Sequence, residues 1–275
     1  MTASVAWVPV QPLVMGVVNV TPDSFSDGGC FADPVDAIAH GLRLVAEGAQ
    51  VIDVGGESSR PGAEPVSEAD ELARVQPVVA ALAPHVRVSI DTAKVAVAHA
   101  AVDAGATLVN DITASLHLVA AERKVGWVAM HMAGEPRTMQ HRPRYRDVAG
   151  EVSAYLVARA EEARDAGVEE VWIDPGIGFG KSFAHNWTLL RALPALVAQG
   201  WPVAVGTSRK GFLGAVLASA DGAHEATVAS DRLEGSIATT VWAAACGVGV
   251  IRAHDVAATV AALRTTASPL TAVAV

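Results

Sequence analysis

Along the chain, short runs rich in Val and Ile alternate with longer Ala/Leu-rich segments of amphipathic character. Short apolar runs bounded by turn residues read as buried strands, and the longer periodic segments read as helices. The runs fall at Val14–Val18, Val51–Val54, Val86–Ile90, Thr107–Val109, Trp127–Met130, Val171–Ile173, Val203–Val205 and Val248–Ile251. Three of the intervening segments close on Glu47-Gly48, Ala104-Gly105 and Ala166-Gly167. Gly just past a helix end is a C-cap, and a strand follows soon after each. Eight strands with helices between them, in about 250 residues, is the arithmetic of an α/β (β/α)8 TIM barrel. Periodicity alone leaves a doubly wound open sheet as the alternative. No linker or low-complexity stretch divides the chain, which predicts a single domain over residues 1–275 with a core from about 13 to 264. The crossover between Ile112 and Val125 is short for this architecture and predicts a truncated helix. The tail from Thr265 to Val275 reads as frayed.

The polar residues gather where these strands end. The first strand runs into Asn19 and a loop, Asn-Val-Thr-Pro-Asp-Ser-Phe-Ser-Asp-Gly-Gly, that fills no core. The second runs into Gly55-Gly56-Glu57-Ser58-Ser59-Arg60-Pro61-Gly62, the third into Asp91-Thr92, the fourth into Asn110-Asp111 and the fifth into Met130-His131-Met132. The sixth meets Asp174-Pro175-Gly176-Ile177-Gly178-Phe179-Gly180-Lys181, the seventh Gly206-Thr207-Ser208-Arg209-Lys210 and the eighth Arg252-Ala253-His254-Asp255. One Asp after a strand is ordinarily a cap for the next helix. Eight such clusters in a barrel converge on one mouth, where barrel enzymes hold their sites.

Composition narrows the classes. The 275 residues are 51% hydrophobic and 18% charged, with a net charge of -9. That balance argues against nonspecific nucleic-acid binding, which rests on neutralising phosphates. The two cysteines, Cys30 and Cys246, show neither metal-ligand spacing nor a disulfide framework. The first twenty residues carry no Lys or Arg and do not resemble a signal peptide. The longest apolar run, Ile237 to Ile251, is too short to span a bilayer and is broken by Gly247 and Gly249. The expectation is a cytoplasmic protein without membrane or nucleic-acid partners.

The clustered residues suggest two kinds of ligand group. Arg60, Arg209, Lys210, Arg252 and His254, with two Gly-rich loops, suit a phosphate or diphosphate, because Arg forks match its oxygens. No Gly-x-x-x-x-Gly-Lys-Ser/Thr phosphate loop occurs. Asp91, Asn110 and Asp174 suit a flat polar heteroaromatic: carboxylates accept from an amino-pyrimidinone edge, and an amide pairs with both donor and acceptor. Lys210 could bond a ring oxygen or nitrogen, and Met130 could pack on a ring face.

These stretches resemble the dihydropteroate synthase family over nearly the whole chain, from about Leu13 to Leu263. The motifs are Met-Gly-Val-Val-Asn-Val-Thr-Pro-Asp-Ser-Phe-Ser-Asp-Gly-Gly from Met15, Asp-Val-Gly-Gly-Glu-Ser-Ser-Arg-Pro-Gly from Asp53 and Ser-Ile-Asp-Thr from Ser89. They continue with Val-Asn-Asp-Ile from Val109, Asp-Pro-Gly-Ile-Gly-Phe-Gly-Lys from Asp174, Gly-Thr-Ser-Arg-Lys-Gly-Phe-Leu-Gly from Gly206 and Arg-Ala-His-Asp from Arg252. The resemblance implies a barrel that joins 4-aminobenzoate to (7,8-dihydropterin-6-yl)methyl diphosphate, giving 7,8-dihydropteroate and diphosphate in folate biosynthesis. It implies pterin contacts from Asp91, Asn110, Met130, Asp174 and Lys210. It places the diphosphate on Asn19, Ser59, Arg252 and His254 with Mg2+, the metal held at Asn19. It puts Arg60, Pro61, Phe179, Lys210 and Gly211 around 4-aminobenzoate, and Phe25 and Asp27 over the reacting centre, with Lys210 and Arg252 taking part in the chemistry. It further implies a sulfonamide-binding homodimer, for which the apolar helix Ser236 to Cys246 is a candidate surface.

Two departures stand out. Ile-Thr-Ala-Ser-Leu-His-Leu after Asp111 is shorter than is usual in the family, and Ser59 stands where many relatives carry Thr. A pterin-binding methyltransferase domain shares the barrel but has no use for the Ser208-Arg209-Lys210 and Arg252-Ala253-His254 sets. A non-catalytic pterin-binding paralogue is the other alternative, and loss of loop residues would mark it; here both loops are intact.

Overall fold

The computed structural model describes residues 11–21, 33–59, 62–222 and 226–267. Eight parallel strands form its centre: β1 (Leu13–Asn19), β2 (Val51–Gly55), β3 (Arg87–Asp91), β4 (Leu108–Asp111), β5 (Gly126–Met130), β6 (Val171–Asp174), β7 (Ala204–Val205) and β8 (Val250–Ala253). Their order is β6-β5-β4-β3-β2-β1-β8-β7. A bridge between Ile173 and Val203 joins the two ends of that row, and the Ile173 N–H donates to Pro202 O at 2.9 Å. The sheet therefore closes into a barrel, and the doubly wound alternative falls.

Around it lie α1 (Pro34–Ala46), α2 (Glu68–Leu82), α3 (Val95–Asp103), α4 (His117–Arg123), α5 (Val148–Asp165), α6 (Phe183–Val197), α7 (Gly211–Ala220), α8 (Leu233–Ala245) and α9 (Val256–Ala267). Local chemistry sets their ends. Asp33, Ser67, Asp147 and Ser182 accept first-turn N–H groups of α1, α2, α5 and α6. Gly48, Gly105 and Gly167 take the positive φ that ends α1, α3 and α5. As the short crossover requires, α4 has only seven residues. The tail read as frayed from Thr265 is helical through Ala267; residues 268–275 lie outside the described residues.

Most strands run one or two polar residues beyond the apolar runs of the sequence. Pairing with a neighbour, as in Asp91 with Asn110 and Met130 with Asp174, carries the ladder into residues of low strand propensity. The consequence is decisive for the site. Met15, Val51, Leu108, Val128, Ala204 and Val250 pack together inside the barrel. Side chains two residues further along a strand face the same way. Asp53, Asn110, Met130 and Arg252 thus stand inward, one layer above that apolar plug. The remaining core lies between strands and helices, where Trp127, Leu156 and Ile173 are fully buried. Burying each such side chain contributes about 1.5–3 kcal/mol.

The same alternation separates Asn110 from Asp111. The latter faces the helices, fully buried. Its carboxylate accepts from Thr113 N at 2.9 Å, Thr113 Oγ1 at 2.6 Å, Ser115 N at 2.7 Å, Leu116 N at 2.6 Å and Trp127 Nε1 at 3.2 Å. Those five bonds shape the short crossover.

Candidate active site

A cavity of about 750 Å3 opens at the C-terminal ends of the strands. Asn19, Ser59, Asp91, Phe179, Lys210, Gly211, Arg252 and His254 all line it. Asn110, Met130 and Asp174 stand deeper, at the ends of β4, β5 and β6, and are 7%, 5% and 8% exposed. Phe25, Asp27, Arg60 and Pro61 lie outside the described residues.

The floor of the cavity is a charge chain. Arg252 Nε donates to Asp53 Oδ2 at 2.6 Å, and its Nη2 donates to Asp91 Oδ2 at 2.9 Å. Asn110 Nδ2 donates to the same Asp53 oxygen at 2.9 Å. Asp53 is fully buried, and its Oδ1 has no hydrogen-bond partner among the described residues. Burial, then the nearby Asp53 carboxylate, pushes Asp91 up to about 7, with Arg252 pulling the other way. Burial likewise raises Asp174, opposed by its bond from Gly176 N at 2.7 Å and by Lys210 and Arg252. Both carboxyls are shifted upward by burial, and with Asn110 they form the acceptor and donor set that an amine-rich heterocycle would use.

Lys210 sits at the junction between floor and rim. Its Nζ donates to Ile177 O at 2.5 Å and lies 4.2 Å from the centre of the Phe179 ring. Burial lowers its ammonium to about 8, against the pull of Asp174. Stacking and charge thus meet in one place, as an aromatic acid would require.

On the anionic side, the His254 N–H donates to Ser208 Oγ at 3.1 Å, and Nδ1 contacts the same oxygen at 3.1 Å. Arg209 also lines the cavity, and its guanidinium forks onto Asp255, Nε to Oδ2 at 3.0 Å and Nη2 to Oδ1 at 2.6 Å. It ties the β7 loop to the β8 loop.

Several residues that shape the site went unassigned in the sequence reading. Asp53 had a visible signal: an acid inside an otherwise apolar strand. Glu71 is a fully buried acid on α2, paired with Lys94 and accepting from Thr92 Oγ1 at 2.7 Å; Lys94 also bonds Glu57 at 2.6 Å. Its signal was the apolar stripe Val75, Val78 and Leu82, which it continues. Lys181 is 2% exposed and bonds His131. Burial lowers Lys181 to about 7 and His131 to about 4. Nothing in the sequence pattern separates this lysine from an exposed one.

The sequence profile of the pterin binding enzyme family matches residues 15–254. The chain belongs to the dihydropteroate synthase family. It is 48% identical to the dihydropteroate synthase of Mycobacterium leprae over 93% of this chain and 92% of that one. The Yersinia pestis dihydropteroate synthase, solved with a sulfonamide drug, superimposes with a TM-score of 0.87 at 41% identity, covering 96% of each chain. The Xanthomonas albilineans enzyme in complex with 7,8-dihydropteroate does so with a TM-score of 0.81 at 41% identity, over 96% of this chain and 97% of that one. These likenesses cover 93–96% of the chain.

Proposed function

We propose that the protein is a dihydropteroate synthase, condensing 4-aminobenzoate with (7,8-dihydropterin-6-yl)methyl diphosphate to give 7,8-dihydropteroate and diphosphate. The observation that carries this reading is the continuous chain Asn110–Asp53–Arg252–Asp91, which leads from a buried heterocycle pocket to a cationic rim. Asp91, Asn110, Met130, Asp174 and Lys210 hold the pterin. Arg252, His254, Asn19 and Ser59 take the diphosphate. Phe179, Lys210 and Gly211 border 4-aminobenzoate, together with Arg60 and Pro61, while Phe25 and Asp27 serve at the reacting methylene.

The chemistry follows from these placements. Guanidinium carries five N–H donors, and Arg252 uses two on Asp53 and Asp91. Three remain for oxygens of the leaving group, whose negative charge grows as the methylene C–O bond breaks. The electron-rich pterin stabilises the positive methylene left behind. The aniline nitrogen, neutral at pH 7, attacks it, forms the C–N bond and then releases a proton. Water must be kept from the methylene for this step, since it would otherwise trap the cation first.

Mg2+ belongs to the same proposal. Among the described residues no group of three His, Cys, Asp or Glu could cage a metal. Asn19 instead offers one amide oxygen at the cavity wall. That donor set fits a hydrated Mg2+ held between protein and substrate phosphates. Bound there, the ion would add charge stabilisation at the diphosphate.

A homodimer and a cytoplasmic location complete the reading. Trp242, on α8 within the segment Ser236 to Cys246, is 47% exposed and is the large apolar group this face would present to a second copy. Among the described residues no helix is long and apolar enough to cross a membrane. Sedimentation at micromolar concentration tests the dimer. The activity is tested by following diphosphate and dihydropteroate together: equal release, dependent on both substrates, is the expected result, and release of diphosphate alone would overturn it.

A further inference from the structure

The backbone from Gly176 to Lys181 carries the Phe179 ring but belongs to no helix or strand. Its shape is imposed by neighbours. Gly176 and Gly180 adopt φ of 62° and 63° and fold against the chain leaving β5. A Cβ on Gly176 would stand 1.9 Å from His131 O, and one on Gly180 would stand 2.3 Å from Ala133 O. Four successive carbonyl oxygens each accept from a side chain. Ile177 O accepts from Lys210 Nζ at 2.5 Å, and Gly178 O from Gln140 Nε2 at 2.6 Å. Phe179 O accepts from Lys181 Nζ at 3.0 Å, and Gly180 O from Tyr145 Oη at 2.9 Å.

Lys181 differs from the other three donors. It is almost wholly buried, and its Nζ also reaches His131 O at 3.1 Å and His131 Nδ1 at 2.9 Å. Phe179 O and His131 O accept from Nζ, and His131 Nδ1 is its third partner, all on neutral groups. A buried charge without a carboxylate partner persists only when hydrogen bonds replace its water. The arrangement therefore spans two strand ends: one partner is on the β6 loop, and two are at the end of β5.

We propose that Lys181 is a positioning residue for the aminobenzoate half of the site. Its ammonium pins the Phe179 loop to the end of β5 and so fixes the Phe179 ring beneath Lys210. The inference rests on the function proposed above. Most of the pterin set has further support: Asp91, Asn110, Met130 and Asp174 are held by strand pairing, and the two bonds that link the set to this loop, Gly176 N to Asp174 and Lys210 to Ile177 O, lie at its start, ahead of the Lys181 bond to Phe179 O. Loss of the Lys181 bonds should therefore separate the two substrates.

Lys181→Met keeps the stem and removes the donors. Two readouts are compared with the unaltered protein: the KM for each substrate, and hydrogen–deuterium exchange of the 176–181 amides. The expected result is a KM for 4-aminobenzoate raised about tenfold or more, as for loss of a charged hydrogen bond. The KM for the pterin diphosphate should stay within about twofold, and the 176–181 amides should exchange faster than those of β3 to β6. Both KM values rising together, or unchanged exchange in the loop, would overturn the proposal. If Lys181→Met does not fold, Tyr145→Phe removes one hydroxyl from the same loop; the same split at about threefold is expected, and its absence counts against the proposal. If the unaltered protein makes no dihydropteroate, the functional reading fails, while the exchange comparison still decides whether Lys181 holds the loop.

Discussion

Arg252 neutralises two carboxylates at the floor of the cavity, so removing it should cost stability as well as turnover. Asp53 is fully buried, Asp91 is 16% exposed and Arg252 itself 23% exposed at the side chain. Breaking a buried ion pair by deleting one partner costs about 3–5 kcal/mol. Partial exposure of Arg252 and Asp91 lowers this, and about 2–4 kcal/mol is the expectation for Arg252→Met at about pH 8. With an unfolding entropy of about 2.1 cal/mol/K per residue, that corresponds to roughly 3–7 °C in Tm. The pH dependence is diagnostic. Without the guanidinium, the folded-state pKa of Asp91 rises further above its unfolded value. The destabilisation is then fully present at high pH and is relieved as pH falls through the folded value and a proton is taken up. Asp91 already sits near 7 with the arginine in place, so the deficit should shrink between about pH 8 and pH 6. Urea unfolding of both proteins at the two pH values measures it. An equal deficit at both, or none, would refute the idea that Arg252 balances Asp53 and Asp91.

Other expectations concern single groups. Asp174→Asn should weaken pterin diphosphate binding by about ten- to a hundredfold through loss of a charged hydrogen bond; calorimetric titration reads this directly, and unchanged affinity would remove Asp174 from the pterin site. Raising pH through about 8 should take the proton from Lys210 and depress kcat/KM, and the pH profile of Lys210→Met should lose that limb. Asp111→Ala should destabilise the fold by about 3 kcal/mol or more, since several buried donors of the α4 crossover lose their acceptor; chemical denaturation gives the number.

The barrel was legible because each strand is an apolar run and three helices end on a Gly that the structure holds at positive φ. The strand ends were less so. Asn110 and Asp111 read alike as polar residues after a run, and only the period of two inside a paired strand sends one to the mouth and the other to the helices. Arg209 illustrates a second difficulty: nothing in the Ser-Arg-Lys loop shows that Asp255, from another strand end, pairs with its guanidinium. Asp53 and Lys181 depend on the same long-range information. Their partners, Arg252 and His131, are 199 and 50 residues away along the chain. Asp91, Asn110, Asp174 and Lys210 are brought to one end of the barrel by four different strand ends, and their residue types are those a complement to an amino-pyrimidinone would use.

The most direct test of the two-part site is a crystal structure of this protein with 7,8-dihydropteroate bound. The account predicts the pterin ring within hydrogen-bond distance of Asn110 and Asp174, the benzoate beside Phe179 and Lys210, and the linking methylene nearest to Arg252 and His254. A pterin ring resting at the outer rim, with the Asn110–Asp53–Arg252 chain untouched beneath it, would contradict the account.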